Sequence, residues 1–243
     1  MPDHKQKILT VSWLYPREMN LYGDTGNALA LMRRIQQHGY APIMRHVHPE
    51  QEIPAETDIV IGGGGQDSGQ LVVAADLKTK ADSLHALAES GTPMLMICGL
   101  YQLFGHRFVT LQGQEMRGIG LLDVETLGGS TRMIGNIVLD TEKFGKVIGY
   151  ENHSGATTLG ANAVPFGRVL KGAGNNPDGE HEGAVWKEVI GTYLHGSLLP
   201  KNPRISDGMI AAAATKRYGE FVPREIDDTV VEKARAQAAS RPR

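Results

Sequence analysis

Cysteine is almost absent from this chain, whose 243 residues include a single one, Cys98. A lone cysteine excludes an intramolecular disulfide and a cysteine-rich zinc site. Cys98 is then either a small buried core residue, the commoner use of a free cysteine, or a nucleophile. Composition does not choose between the two, so the neighbouring residues have to decide.

Long apolar runs and an excess of one charge are lacking as well. The longest apolar stretch lies around Met94 to Cys98, far short of the roughly 20 residues that cross a bilayer. With 25 basic and 27 acidic residues the net charge is −2, which argues against non-specific nucleic-acid binding. Residues 1–5 lack the charged-then-apolar pattern of a secretory signal, so we expect a cytoplasmic protein without a transmembrane segment.

Apolar runs and amphipathic segments alternate along the first part of the chain, a pattern typical of an α/β fold with a mostly parallel central sheet and flanking helices. Asp24 is predicted to cap the first helix. The predicted strands are Lys7–Leu14, Ala41–Val47, Asp58–Ile61 and Pro93–Ile97, and the predicted helices are Asn27–Gln37 and Leu77–Glu89.

The pattern changes after Gly118, where short strand-like segments are joined by Gly and Asn turns, and it predicts an antiparallel extension of the sheet. We find no repeat and no linker, so we expect one domain over residues 1–243. The predicted strands are Leu121–Leu127, Ile134–Leu139, Lys146–Tyr150, Gly167–Lys171 and Val189–Leu194, and two helices close the chain at Ile205–Tyr218 and Asp227–Ala239.

Cys98 and His195 each follow a predicted buried strand. Cys98 precedes Gly99 and a segment that can begin a helix, which is the strand–turn–helix arrangement of a nucleophile elbow. Such a turn lowers the pKa of a thiol and points backbone N–H groups at the atom it attacks. Since ligands of α/β sheets bind at the carboxyl ends of the strands, the two residues can face one crevice. We therefore favour Cys98 as a nucleophile with His195 as its acid–base partner.

A glycine run, Gly62–Gly65, follows another predicted strand. It is not a phosphate-binding loop, because no Gly-Lys-Ser/Thr sequence follows it. It is either a plain tight turn or an oxyanion hole, in which glycine lets backbone N–H groups approach a tetrahedral intermediate. His46 and His48 lie close together on a strand but have no carboxylate at ligand spacing, so we expect no metal site.

Three segments, CGLYQLFG (98–105), GYENHSG (149–155) and YLHG (193–196), resemble the glutaminase domains of the cobyric acid synthase type, which are class I, cysteine-dependent glutamine amidotransferases. Three others, LYGDTGN (21–27), GAGNN (172–176) and LHGSLLPKN (194–202), are more similar to one free-standing branch, the glutaminase subunit of lipid II isoglutaminyl synthase. The likeness runs from about Leu21 to Asn202.

The resemblance implies a flavodoxin-like fold, with Cys98 as nucleophile and His195 as its acid–base partner. It implies that Gly64 and Gly99 donate backbone N–H groups to the oxyanion. It also implies that Arg132 binds the α-carboxylate of L-glutamine, which a guanidinium can grip through two hydrogen bonds. Without the resemblance, Arg132 would be interpreted as a solvated loop residue.

A partner is implied as well: an ATP-dependent, Mur-ligase-like synthetase that forms a heterodimer with this chain and amidates D-isoglutamate of the lipid II stem peptide during peptidoglycan synthesis. This chain has no ATP-binding loop, so we expect ATP and Mg on the partner and no cofactor here.

Two residues depart from the wider class. Ser197 stands where many class I enzymes have a third, acidic triad residue, which implies an Asp from the partner, and Leu100 stands where a second Gly is common.

Three alternatives stay open. The chain could be the glutaminase component of a corrinoid-amidating synthase, although such components are usually fused to their synthetase. It could be a Cys–His hydrolase or peptidase acting alone, which glutamine analogues would not inactivate. It could also be a regulatory or binding subunit with a vestigial site, in which Cys98 would react with alkylating agents like an ordinary free thiol.

Overall fold

Two β-sheets and seven helices make up the described part of a computed structural model, which covers residues 6–21, 23–65 and 67–240. The N-terminal segment 1–5, used above against a secretory signal, and Tyr22 of the LYGDTGN segment lie outside the described residues. In chain order the elements are β1 (Ile8–Leu14), α1 (Thr25–Gln37), β2 (Ala41–Val47), β3 (Ile59–Gly62), α2 (Asp67–Thr79), α3 (Ala81–Glu89), β4 (Met94–Ile97), α4 (Gly99–Phe104), β5 (Arg107–Val109), β6 (Glu115–Arg117), β7 (Val124–Thr141), β8 (Gly145–Leu159), β9 (Gly167–Lys171), β10 (His181–Glu182), β11 (Ala184–Trp186), β12 (Val189–Thr192), α5 (Leu198–Lys201), α6 (Pro203–Tyr218) and α7 (Thr229–Ser240).

The first sheet has the strand order β11-β12-β4-β3-β1-β2. Five of its strands run parallel, and only β11 pairs antiparallel, with β12. Every residue of β3, β4 and β12 is buried, which explains why these strands consist of short runs without polar alternation. The expected α/β fold with a mostly parallel central sheet is confirmed.

The second sheet has the order β10-β9-β7-β5-β6, with β8 paired antiparallel to β7. It is the expected, mostly antiparallel part of the fold, built as a separate sheet in which, of the described strands, only β5 and β7 pair parallel. Two predicted strands, Leu121–Leu127 and Ile134–Leu139, fall largely within one strand, β7. Pairing with β8 is irregular between Gly128 and Met133. The glycines that suggested a turn there form a bulge instead, which bends a strand without ending it.

The predicted helix Leu77–Glu89 is only partly right. The helix α3 covers Ala81–Glu89, but the chain is interrupted at Lys80, and the residues before it belong to α2, most of which was not predicted. The Lys80 side chain is buried and its ammonium pairs with the Asp76 carboxylate, which also accepts the Tyr15 hydroxyl at 2.6 Å. Because Tyr15 lies far away in the sequence, its contact with this charge pair is not visible in the local sequence. Sequence reasoning also missed the short strands β5, β6, β10 and β11.

Among the described residues, no helix combines the length and the apolar character needed to cross a membrane.

Candidate active site

Cys98 joins β4 to the short helix α4 and is buried. Its backbone has φ 51° and ψ −103°, a conformation that non-glycine residues rarely adopt and that marks the strained turn of a nucleophile elbow. The turn is held on both sides, because the Cys98 N–H donates to the Thr192 carbonyl at 2.8 Å and the Cys98 carbonyl accepts from the Gln102 N–H at 3.0 Å. The elbow predicted from the sequence is therefore present.

Close packing explains the residues that flank the elbow. A side chain at Gly99 would meet the ends of the Gln70 and Met19 side chains, which would have to move to make room. The Leu100 side chain, the departure noted above, occupies the space that a side chain on Gly62 would need. The glycine loop after β3 thus accommodates Leu100 without disturbing the turn at Cys98.

His195 follows β12, and β12 lies beside β4 with Thr192 opposite Ile97. The structure therefore brings Cys98 and His195 to the ends of two neighbouring parallel strands. The His195 N–H donates to the Tyr150 carbonyl of β8 at 2.7 Å, and the Tyr150 N–H donates back at 3.3 Å. His195 therefore follows a strand of the first sheet and is tied by two backbone hydrogen bonds to a strand of the second.

Burial, and after it the positive charges that His153 and Arg132 can carry, lower the pKa of His195 to about 3. At neutral pH the imidazole is therefore uncharged and able to accept a proton, although a pKa this low makes it a weak base. His153 is buried too, and its pKa is lowered to about 4, chiefly by burial.

Ser197 does not act in place of an acidic third residue. Its hydroxyl donates to the Gly23 carbonyl at 2.7 Å, and its backbone is left-handed, with φ 55°. Gly196 just before it is also left-handed, with φ 67°. These two residues turn the chain from His195 into α5, so the role of Ser197 is to anchor this turn to the loop that contains Gly23.

Asp24 occupies the N-cap position of α1, as predicted, but its side chain contacts the glycine loop. That side chain makes no capping hydrogen bond to the described backbone of α1. Its carboxylate accepts the Gly64 N–H at 3.0 Å, close to Gly63, where a side chain would collide with it. Burial raises the pKa of Asp24 to about 6. The N–H group predicted to bind an oxyanion is thus engaged by a carboxylate in this structure.

Arg132 lies in the bulged part of β7, not in a loop. Its Nε donates to the Asn152 amide oxygen on β8 at 2.8 Å, and its side chain is exposed. Its charge is close enough to lower the pKa of both His153 and His195. An exposed guanidinium beside the two histidines is in a suitable position to bind an anionic group of a substrate.

Sequence reasoning missed three residues that pack around the site. The His153 ring stacks on the Tyr193 ring, with centroids 3.6 Å apart. The hydroxyl of Tyr193 accepts a hydrogen bond from Gln102 at 3.1 Å. All three lie in the GYENHSG, YLHG and CGLYQLFG segments, so the signal was available although no role was assigned to them.

In the part of the chain that the structure describes, no three His, Cys, Asp or Glu side chains are grouped so that they could hold a metal ion. The rings of His46 and His48 lie 6.2 Å apart, and His46 packs against Trp13.

Comparison with known proteins gives a family match over most of the chain. Residues 10–203 match the model of the CobB/CobQ-like glutamine amidotransferase domain. The chain is 36% identical over 221 residues, 90% of both chains, to the lipid II isoglutaminyl synthase (glutamine-hydrolyzing) subunit GatD of Staphylococcus aureus. It is 34% identical to the subunit of the same name from Streptococcus pneumoniae, over 88% of this chain and 84% of that one.

Among solved structures, the chain is similar to PurLQS from Thermotoga maritima with a TM-score of 0.58. The match covers 86% of this chain and 98% of the other at 15% sequence identity. At this identity the similarity concerns the fold.

Proposed function

Because the chain belongs to the family of CobB/CobQ-like glutamine amidotransferase domains and is therefore a glutamine-hydrolysing enzyme, we propose that Cys98 is its nucleophile and His195 its acid–base residue. The observation that supports these roles best is the strained backbone of Cys98 beside the strand end that leads to His195. A strained turn is retained where it presents a reactive side chain, whereas a structural cysteine does not need it.

In the proposed reaction, neutral His195 takes the proton of the Cys98 thiol, and the thiolate attacks the side-chain amide carbon of glutamine. The imidazolium then gives its proton to the leaving nitrogen as the C–N bond breaks, which releases ammonia and leaves a glutamyl thioester. Water, deprotonated by His195, attacks the thioester, and glutamate leaves as the thiol is restored. At this pKa the neutral imidazole is a weak base, so the thiolate that forms beside it has to stabilise the imidazolium as an ion pair.

Backbone N–H groups would stabilise the negative charge on the amide oxygen in both steps. Gly99 is the simpler of the two proposed donors, because its N–H directly follows Cys98 in the turn. Gly64 donates to the Asp24 carboxylate at 3.0 Å, so it would have to exchange that acceptor for the oxyanion. We propose that Arg132 binds the α-carboxylate of glutamine, as its exposed charge near His195 suggests.

The names of the relatives also suggest how the released ammonia is used. We propose that it passes to a Mur-ligase-like synthetase, which uses ATP and Mg to amidate D-isoglutamate in the lipid II stem peptide. The similarity to two subunits of lipid II isoglutaminyl synthase over nearly their full lengths supports this acceptor. The two chains would form a heterodimer, and we expect the reaction in the cytoplasm. Since Ser197 donates to Gly23, we propose that an Asp of the partner orients His195.

Glutamine hydrolysis by the purified chain, alone and with the synthetase, tests this proposal. We expect slow hydrolysis by the isolated chain, acceleration by the synthetase, and loss of the acceleration when the synthetase's candidate Asp is changed to Asn. Full activity without the partner would contradict the proposed role of that Asp.

Ammonium salts provide the control for ammonia transfer. A complex with Cys98→Ser should fail to amidate lipid II from glutamine but should still do so from added ammonium, because the synthetase remains intact. If the complex amidates a corrinoid acid and leaves lipid II unchanged, the proposed acceptor is wrong although the glutaminase assignment stands.

A further inference from the structure

Tyr193 is fully buried two residues before His195, and its hydroxyl has two hydrogen-bond partners. Nε2 of Gln102 donates to it at 3.1 Å, and the Thr157 hydroxyl lies 2.7 Å away. Gln102 is four residues beyond Cys98 and donates its backbone N–H to the Cys98 carbonyl at 3.0 Å. The Tyr193 hydroxyl therefore links the helix that follows the nucleophile to the segment that contains the histidine.

The same chain of hydrogen bonds continues in both directions. Nε2 of Gln70, in the helix that follows the glycine loop, donates to Oε1 of Gln102 at 2.9 Å. On the other side, the Thr157 hydroxyl lies 2.7 Å from the hydroxyl of Thr126 on the neighbouring strand. Five buried side chains from α2, α4, β7, β8 and the end of β12 thus form one polar connection beneath the site.

A buried phenol needs at least one hydrogen-bond partner, and the one hydrogen bond described for the neighbouring Tyr101 meets this need. Tyr101 is equally buried, lies in edge-to-face contact with Tyr193 at 5.1 Å, and donates to Asn175 at 3.1 Å. Its hydroxyl has no link to Gln102 among the hydrogen bonds described. Tyr193 differs in that its partners belong to the element next to the nucleophile and to the second sheet.

We propose that Tyr193 is a positioning residue, whose hydroxyl holds the Cys98 turn and the His195 segment at the separation that proton transfer between them requires. The proposal rests on the proposed roles of those two residues. His153, stacked flat on the Tyr193 ring at 3.6 Å, keeps the ring from tilting, so the position of the hydroxyl is well defined. The nearby Cys98 also contributes to the raised pKa of Tyr193, after the larger effect of burial.

Loss of this hydroxyl should affect the chemical step more than substrate binding. A misplacement of about 1 Å between reacting groups can lower a rate by roughly 100-fold. Arg132, the proposed ligand of the substrate carboxylate, is exposed and hydrogen-bonded to Asn152, whereas the five side chains of this connection are buried. The expected pattern is a lower kcat with little change in KM.

The test compares Tyr193→Phe with the matched control Tyr101→Phe in the full chain bound to its synthetase. We expect kcat for glutamine to fall by about 10- to 100-fold in Tyr193→Phe, with KM within about 3-fold, and Tyr101→Phe to stay within about 3-fold for both. Equal kcat in Tyr193→Phe and wild type would overturn the proposal, as would equal losses in the two variants, which indicate a purely structural role.

The rate of Cys98 alkylation by iodoacetamide, measured against pH, gives a second readout that needs no glutamine. If His195 moves away from the thiol, the thiolate loses support and the alkylation profile shifts to higher pH. We expect this shift in Tyr193→Phe but not in Tyr101→Phe. If the wild type released no ammonia, the proposed function would fail, while this profile would still decide the positioning role.

Gln102→Met provides an independent variant if Tyr193→Phe does not fold. It breaks the same hydrogen bond from the side of α4 and leaves the phenol with Thr157 as its partner. We expect the same shift of the alkylation profile to higher pH. An unchanged profile in a folded Gln102→Met protein would show that the link does not set the thiol–imidazole geometry, and it would overturn the proposal.

Discussion

The two sheets contribute different parts of the site. The first, mostly parallel sheet presents Cys98 and His195 at the ends of two adjacent strands, and both side chains are buried. The second, mostly antiparallel sheet presents Arg132 in the exposed, irregular part of β7. Burial suits the reacting groups, because low-dielectric surroundings strengthen charge interactions during a reaction. Exposure suits a binding group, because an incoming substrate has to reach it. The comparison suggests that the first sheet performs the chemistry and the second recognises the substrate.

The sheets meet at the segment that ends in His195. Tyr150 of the second sheet exchanges backbone hydrogen bonds with His195. One residue of β10, Glu182, accepts hydrogen bonds from the Tyr193 N–H at 2.6 Å and from the Thr192 hydroxyl at 2.8 Å. The second sheet therefore also helps to position the histidine, and substitutions on each side of the junction should separate these contributions.

Cys98→Ser tests the chemical role of the first sheet and should have the largest effect. Because a serine hydroxyl is a much weaker nucleophile than a thiolate, glutamine hydrolysis should fall by at least about 1,000-fold. The fold should be kept, since serine is close in size to cysteine. Ammonia release and the melting temperature are the two measurements, and wild-type hydrolysis by a folded Cys98→Ser protein would show that the nucleophile is another residue.

Arg132→Ala tests recognition by the second sheet and should have a smaller effect, mainly on KM. It removes a charge-assisted pair of about 1.5–3 kcal/mol, so KM for glutamine should rise about 10- to 100-fold. The change in kcat should be much smaller, because Arg132 does not touch the reacting amide.

Two further substitutions sharpen this second test. Arg132→Lys keeps the charge but not the two-pronged geometry, and it should restore part of the affinity. Arg117→Ala, on an exposed arginine of β6 in the same sheet, should leave KM unchanged. An unaltered KM in Arg132→Ala would mean that the carboxylate of glutamine is bound elsewhere.

The difference between the sheets also explains what could be predicted from the sequence. Buried parallel strands consist of short apolar runs, so β1, β3 and β4 were predicted to within one residue of their bounds. The strand ends then identified Cys98 and His195. In the second sheet, the glycines at the bulge of β7 resemble a turn, and only pairing with β8 keeps the strand continuous.

Contacts between distant residues account for what sequence reasoning missed. Asp24 looked like a helix cap because it precedes α1, but it accepts a hydrogen bond from Gly64, which only the folded chain brings near. The Asp76–Lys80 pair at the break between α2 and α3 is buried against Tyr15, which is distant in the sequence. The Tyr193 hydroxyl likewise joins residues from several elements, and the spacing of the motifs contains no information about those contacts.

Glu182→Gln tests the junction between the two sheets. It should have the smallest effect of these substitutions, and the property it changes is the dependence of stability on pH. Burial raises the pKa of Glu182 to about 8, more than the hydrogen bonds from Tyr193 and Thr192 lower it, and the nearby Glu151 carboxylate adds to the rise. The folded protein therefore holds a proton on Glu182 that the unfolded chain, with an ordinary pKa of 4.5, releases. The stabilising contribution is fully present below that ordinary pKa and is lost as the pH rises toward about 8.

A glutamine side chain at this position does not titrate. The fall in unfolding free energy between about pH 5 and pH 8 should therefore be at least about 1 kcal/mol smaller in the variant than in the wild type, which corresponds to roughly 2–4 °C in Tm. Glu180→Gln, at an exposed carboxylate nearby, should keep the wild-type pH dependence. Thermal unfolding across this pH range measures the effect, and identical curves for Glu182→Gln and the wild type would mean that the junction does not hold a raised-pKa carboxyl group.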